Sequence, residues 1–184
     1  ESLRDLALEE IRQKEREDEL EDPAAIAEAV ALGALHYYLL QVSAAKDMIF
    51  NPKESLSFNG NTGPYLQYMV ARIYSMLAKA QERGAGKGAI DPALLVDDAE
   101  WALVKLTASY EETVALAAKR MDPSVLAVWL YELSKAFSRF YHDCPILGAE
   151  DTVLRDTRIA LSRSVLAVME DALTLVCIPV LKKM

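Results

Sequence analysis

The sequence predicts an all-α protein, a bundle of six or seven helices. Three observations carry this. Apolar residues recur at spacings of three and four along several long stretches. Restart signals separate these stretches, with an aspartate just before a proline at Asp22-Pro23, Asp91-Pro92 and Asp122-Pro123. The 7 Gly and 7 Pro among 184 residues are too few to turn an all-β chain. A content of 52% hydrophobic and 26% charged residues excludes a disordered chain. A chain of this length buries enough surface to fold without disulfides, and its two cysteines give no sign of an oxidising compartment. No uninterrupted apolar run reaches the roughly 18 residues of a membrane span. No signal peptide opens the chain, so a cytoplasmic location is expected.

The elements follow in order. Ser2 caps a first helix carrying Leu3, Leu6, Ala7 and Ile11 on one side. Lys14 to Asp22 is nearly all charged and reads as a solvated helix end or linker. Residues 1–21 are thus expected as a charged helix, set apart from a helical domain over 22–184. The net charge of -8 is concentrated there, because residues 1–22 hold 10 acidic against 4 basic side chains. Ala24 to Gln41 is apolar nearly all round, as a helix buried on most sides would be, with His36 at the edge of the core. Residues 51–63 read as a connecting loop. Thr62 then caps a helix opened by Pro64 and stopped at Gly84, and Gly84 to Gly88 reads as a mobile linker. Further helices restart at Asp91-Pro92 and Asp122-Pro123. Glu150 to Arg155 leads into a last helix ending near Pro179. Inward faces are read at Leu126, Leu130, Leu133, Phe137 and Phe140, and at Leu161, Val165, Val168, Ala172 and Leu175.

The helix after Pro64 has two faces. Leu66, Val70, Ile73 and Leu77 form an apolar stripe, while Tyr65, Tyr68, Arg72, Ser75 and Lys79 line the opposite side. Aromatic rings alternating with cations suit unpaired RNA, where bases stack and phosphates need positive charge. The bland alternative has Tyr65 and Tyr68 packing on a neighbouring helix and Arg72 in a salt bridge. A second aromatic cluster, Phe137 to Pro145, places Tyr141 and His142 at a helix end. No catalytic residue is identified. His36 and His142 are the only histidines, so no Ser/His/Asp or Cys/His set can be assembled. No metal site is expected either, because His142 and Cys144 lack a partner pair. Cys144 and Cys177 read as buried thiols. Gly84 to Gly88 lacks the full phosphate-loop pattern and follows a helix, not a strand.

Beyond this point the residues resemble a family. Phe50 to Tyr68, ending Phe58-Asn59-Gly60-Asn61-Thr62-Gly63-Pro64-Tyr65-Leu66-Gln67-Tyr68, is similar to the opening of the C-terminal domain of arginyl-tRNA synthetases, F-E-G-N-T-G-P-Y-x-Q-Y. Ala71-Arg72-Ile73 matches the A-R-I that follows. Leu130-Tyr131-Glu132-Leu133 with Phe137 to Cys144 resembles L-Y-x-L…F-x-x-F-Y-x-x-C. Arg158 to Arg163 and the close Pro179 to Met184 resemble R-L-x-L-x-x-A and P-x-x-M. The matches run in order over most of residues 22–184.

The resemblance implies the all-α, DALR-type anticodon-binding bundle of class I synthetases. It implies a parent enzyme that joins arginine to tRNA with ATP and Mg. The HIGH-type and MSK-type signatures of the catalytic domain are absent here, so no aminoacylation is expected of these residues and no cofactor is expected on them. The implied partner is the anticodon loop of arginine isoacceptors, with no membrane role. The residues do not fix an oligomeric state, and a monomer is the default. By position, the resemblance assigns tRNA contacts to Tyr68, Arg72, Tyr141 and Met184; spacing adds Tyr65 and Lys79. A further aromatic found in some relatives is Pro145 here. Two alternatives stay open at this point: the helical domain of another class I enzyme, such as the cysteine or methionine one, and a helical interaction module without RNA affinity.

Overall fold

The structure, a computed structural model, describes residues 2–13 and 22–184; Glu1 and the charged stretch from Lys14 to Glu21 lie outside the described residues. Within them every regular element is helical: α1 (Leu3–Gln13), α2 (Pro23–Leu40), α3 (Pro52–Ser55), α4 (Gly63–Glu82), α5 (Asp98–Ala108), α6 (Tyr110–Arg120), α7 (Ser124–Asp143) and α8 (Thr152–Leu175). The expected caps are in place. Asp22 accepts from the Ala25 N–H, with Pro23 in the first turn, and Thr62 accepts from the Tyr65 N–H.

The all-α bundle stands, and the count rises to eight for local reasons. The loop over residues 51–63 contains a single helical turn, α3, capped by Asn51. Asp91-Pro92 opens only a 3₁₀ turn, Pro92–Leu94. The real helix start lies at Asp97, whose capping box with Glu100 satisfies N–H groups in both directions. The chain breaks again at Ser109. There the Trp129 indole N–H of α7 reaches both the Leu106 carbonyl and the Ser109 hydroxyl, a contact that local sequence cannot announce.

The core falls into two parts. The larger lies among α4, α5, α7 and α8, around Leu66, Ile73, Leu103, Leu130, Phe137 and Met169. The α7 stripe is buried at all five predicted positions. The α8 stripe is corrected in part, since Val165 and Ala172 are buried as expected and its other three positions are not. Ile159, Val165, Met169 and Leu173 are buried, Leu161 and Val168 only half-buried, and Leu175 is 53% exposed. The true face runs through Thr157 and Ser162, whose hydroxyls donate back to the Val153 and Arg158 carbonyls. An apolar count skips such positions. The helix also ends at Leu175, before Pro179.

The smaller core joins α1 to α2. Ala7 and Ile11 pack with Ala27, Val30, Ala31, Ala34 and Leu56. α2 is apolar and long enough, by length and composition, to cross a membrane, but here it packs on α1, α4 and α7. The α2–α4 crossing is close because both helices carry glycine there. A Cβ on Gly63 would sit 2.0 Å from the Gly33 carbonyl oxygen.

Gly84 to Gly88, expected as a mobile linker, is a fastened strap. The buried Asp156 carboxylate accepts the N–H groups of Gly86 at 3.0 Å and Gly88 at 2.7 Å, and Arg163 donates to the Gly86 carbonyl at 2.8 Å. Gly86 must be glycine twice over, with φ at +78° and Ile159 where a Cβ would go. The Gly86 N–H, and then the Gly88 N–H and Arg155, hold the Asp156 carboxyl below its ordinary 3.8. Asp156→Ala should therefore cost about 1–3 kcal/mol of stability at neutral pH. A carboxylate whose folded pKa is lowered stabilises above its unfolded value. Its contribution fades as pH falls from 3.8 through the folded value. Denaturant titrations should show the gap between wild type and variant closing over that range; a gap independent of pH would contradict this account.

Candidate nucleic-acid interface

The predicted face of α4 divides once the neighbours are in place. Tyr68 is 36% exposed, Ser75 and Lys79 are exposed, and Arg72 is half-buried. Tyr65 is turned toward α7, with its ring edge-on to Tyr131 at 6.0 Å. Burial first, and then Tyr131, raises the Tyr65 hydroxyl pKa, and a hydrogen bond to Ser138 opposes this. Tyr65 thus takes the packing role that was its bland alternative. Lys79 lies two turns beyond Arg72, about 10 Å along the axis, outside the groove described next.

Tyr68, Ala71, Arg72 and Ser75 form one wall of a groove of about 270 Å³; Lys182, Lys183 and Met184 form the other. The Arg72 guanidinium carbon lies 4.3 Å over the centre of the Tyr141 ring. Tyr141 and Met184 therefore flank the same arginine from two distant parts of the chain. Tyr141 is itself half-buried against Phe137, with ring centres 6.2 Å apart. Among the described residues no carboxylate pairs with Arg72, so its partner is an aromatic face rather than an acid.

The motif around Asn61 builds this geometry. The Tyr37 hydroxyl donates toward Asn61 Oδ1 at 2.5 Å and the Ala127 carbonyl at 3.2 Å, and Asn61 Nδ2 donates to Gln41 at 3.2 Å. The start of α4 is thereby tied to α2 and α7. Gly63 permits the close crossing, and the groove face of α4 then meets the end of α7. The last residues run back from α8. Leu181 and Met184 pack on the α1–α2 core, and Lys182 Nζ sits 5.4 Å over the Tyr74 ring. The Tyr74 hydroxyl donates to Glu170, which with burial pushes its pKa up to about 12, so it remains neutral at physiological pH.

Several side chains on this surface were not singled out in the sequence. Tyr131 and Lys135 continue it along α7, with Lys135 Nζ 5.3 Å over the Tyr131 ring. The spacing of Tyr131, Lys135, Ser138 and His142, at four, three and four, was the available signal. Lys182 and Lys183 were covered only by the resemblance of the close, Pro179 to Met184, and their place opposite α4 depends on how the tail folds back. His142 is exposed and lies 2.8 Å from Asp143, which also pairs with Arg139 at 3.2 Å, so the positive charge at this end of α7 is partly offset. Of the two thiols, Cys144 is buried, with its pKa raised by burial to about 11. Cys177, expected to be buried, is exposed because it occupies the turn after α8.

Comparison with known proteins bears on the family and the fold. Residues 66–184 match the family model of the DALR anticodon binding domain. The chain is 54% identical over 188 residues to the arginine–tRNA ligase of Treponema denticola, covering 100% of this chain and 32% of that protein. It is 42% identical over 171 residues to the arginine–tRNA ligase of Borrelia hermsii, covering 93% of this chain and 29% of that one. Among solved structures, the arginyl-tRNA synthetase of Thermus thermophilus superposes with a TM-score of 0.87 at 31% identity, over 99% of this chain and 32% of its own. That of Plasmodium falciparum, at 21% identity and a TM-score of 0.83, shares the fold, over 99% of this chain and 32% of its own. The chain thus spans about a third of the length of the relatives it matches. With the matched region running from the first turn of α4 to the last residue, the chain belongs to the DALR anticodon binding domain family.

Proposed function

We propose that this chain reads the anticodon loop of arginine tRNAs for an arginine–tRNA ligase. The observation that carries the proposal is the stack of Arg72 on Tyr141 beside a groove closed by Met184. The guanidinium plane and the phenol ring make a two-layer platform on which an unpaired base stacks, because bases stack on arginine planes as well as on rings. Tyr68, at the groove mouth, offers a second ring. Lys182 and Lys183 supply charge for the loop phosphates, which the acidic chain as a whole does not. Tyr65 acts behind this surface by holding α7 against α4, and Lys79 meets phosphate further along the stem. The reaction with arginine and ATP belongs to the remaining two thirds of the parent enzyme, and the tRNA would be met in the cytoplasm.

Arg72→Ala should weaken binding of an arginine tRNA by about 1–3 kcal/mol, roughly 5- to 150-fold in Kd at fixed salt. Arg72→Lys should recover little, because an ammonium keeps the charge but not the plane. Tyr141→Ala should cost about as much as loss of one stacked base, and Tyr141→Phe much less. Thermal melting should change only slightly for the Arg72 changes and for Tyr141→Phe, since the half-buried stack itself contributes about 0.5–2 kcal/mol. Tyr141→Ala also loses packing on Phe137, so its affinity is read well below its melting temperature. Titrations should use arginine tRNA and the same tRNA with its anticodon bases replaced. Equal affinity for the two would sink the proposal.

A further inference from the structure

The chain after α8 turns through Cys177, which has φ +55°, and then follows the seam between α2 and α4. Two side chains hold this return by its backbone. His36 of α2 donates from Nδ1 to the Cys177 carbonyl at 2.5 Å. Gln67 of α4, fully buried, donates from Nε2 to the Ala29 carbonyl at 3.0 Å and to the Pro179 carbonyl at 2.9 Å. Its Oε1 is buried without a partner. A buried acceptor with nothing to accept costs stability, so packing alone would favour an apolar side chain here. The amide also occupies the space beside position 33, where a Cβ would lie 2.7 Å from it, so a side chain there would require Gln67 to shift. What the amide does hold is the α2 backbone at Ala29 and the tail at Pro179, two residues after the carbonyl that His36 holds.

We propose that Gln67, assisted by His36, is a positioning residue for RNA recognition. It fixes the path of residues 177–179, so that Lys182, Lys183 and Met184 stand as the second wall of the groove before RNA arrives. The inference rests on the reading that this groove takes RNA. Without the two anchors, only the packing of Leu181 and Met184 and the contact of Lys182 with Tyr74 would order the last residues before binding, and affinity would fall by the ordering cost left to the RNA.

The test is a cycle with Gln67→Met and deletion of Lys182 to Met184, read by arginine-tRNA affinity and by 13C-methyl NMR of the methionines. Met69, Met76 and Met169 are buried and report whether the core is folded; Met184 reports on the tail. In the full chain, Gln67→Met should weaken tRNA binding about tenfold and move the Met184 methyl toward its unstructured shift. In the protein lacking Lys182 to Met184, the same change should cost no more than about twofold. The core methyls should hold their places in both. An equal loss in both backgrounds, or an unmoved Met184 methyl in a folded variant, would overturn the proposal. If Gln67→Met disorders the core methyls, His36→Leu carries the same cycle. If the unmodified chain binds no arginine tRNA, the RNA reading falls, and the Met184 methyl alone decides whether Gln67 holds the tail.

Discussion

Replacing Arg158 by Leu should lower the unfolding free energy by about 3–5 kcal/mol, a large share of the roughly 5–15 kcal/mol available to a domain. Arg158 Nε lies 2.6 Å from Glu100 Oε1, and the Glu100 side chain is wholly buried. The other Glu100 oxygen accepts the Asp97 N–H of the capping box at 2.9 Å, and Arg158 Nη1 donates to the Pro145 carbonyl at 2.8 Å. One arginine therefore joins the start of α5, the turn after α7 and the body of α8. Its removal leaves a buried carboxyl group in the core with a single backbone donor. The pair need not add net stability over an apolar pair, since burying two charges costs much of what their attraction returns. Arg158→Leu combined with Glu100→Leu should accordingly be less destabilised than the sum of the single changes. Denaturant unfolding of all four proteins measures this. Additive losses, or a single change costing under about 1 kcal/mol, would contradict a buried, coupled pair.

Gly63→Ala should be the second large loss, about 3 kcal/mol or more, at the upper end for added bulk in a packed interior. The new Cβ would stand 2.0 Å from the Gly33 oxygen and 2.5 Å from its carbonyl carbon. Both obstacles are backbone, so no side chain can rotate aside, and α2 must move away from α4. Gly148→Ala is the control. Its Cβ would meet only Pro145 Cβ at 3.9 Å, so its effect should stay within about 0.5 kcal/mol. Because Gln67 reaches the tail across this same crossing, Gly63→Ala should also weaken tRNA binding in whatever fraction remains folded. A melting temperature like that of the control would show that the helices separate at little cost.

The local grammar of the chain was legible. Asp22 and Thr62 were recognisable as caps because a short polar side chain before a proline-bearing first turn serves the first free N–H groups of a helix. The α7 stripe was legible because its five inward positions are all apolar. The α8 stripe was legible only at Val165 and Ala172, because two of its inward positions are hydroxyl residues bonded to their own helix. The strap at Gly86 looked mobile because glycines read as freedom. What removes that freedom is Asp156, a residue far along the chain.

For the candidate site, sequence by itself determined the helix that carries Tyr68 and Arg72 and the side of it that they share. Resemblance supplied Tyr141 and Met184. Only the tertiary structure decided that Tyr65 packs inward on Tyr131 while Tyr68 stays at the surface. Only it set Arg72 on the Tyr141 ring and brought Lys182 over Tyr74. The reason is physical: helical periodicity relates residues within a few turns, whereas a binding groove is made where separate helices meet. That meeting depends on how closely backbones approach, here at Gly33 and Gly63, and on which buried polar groups tie distant segments together.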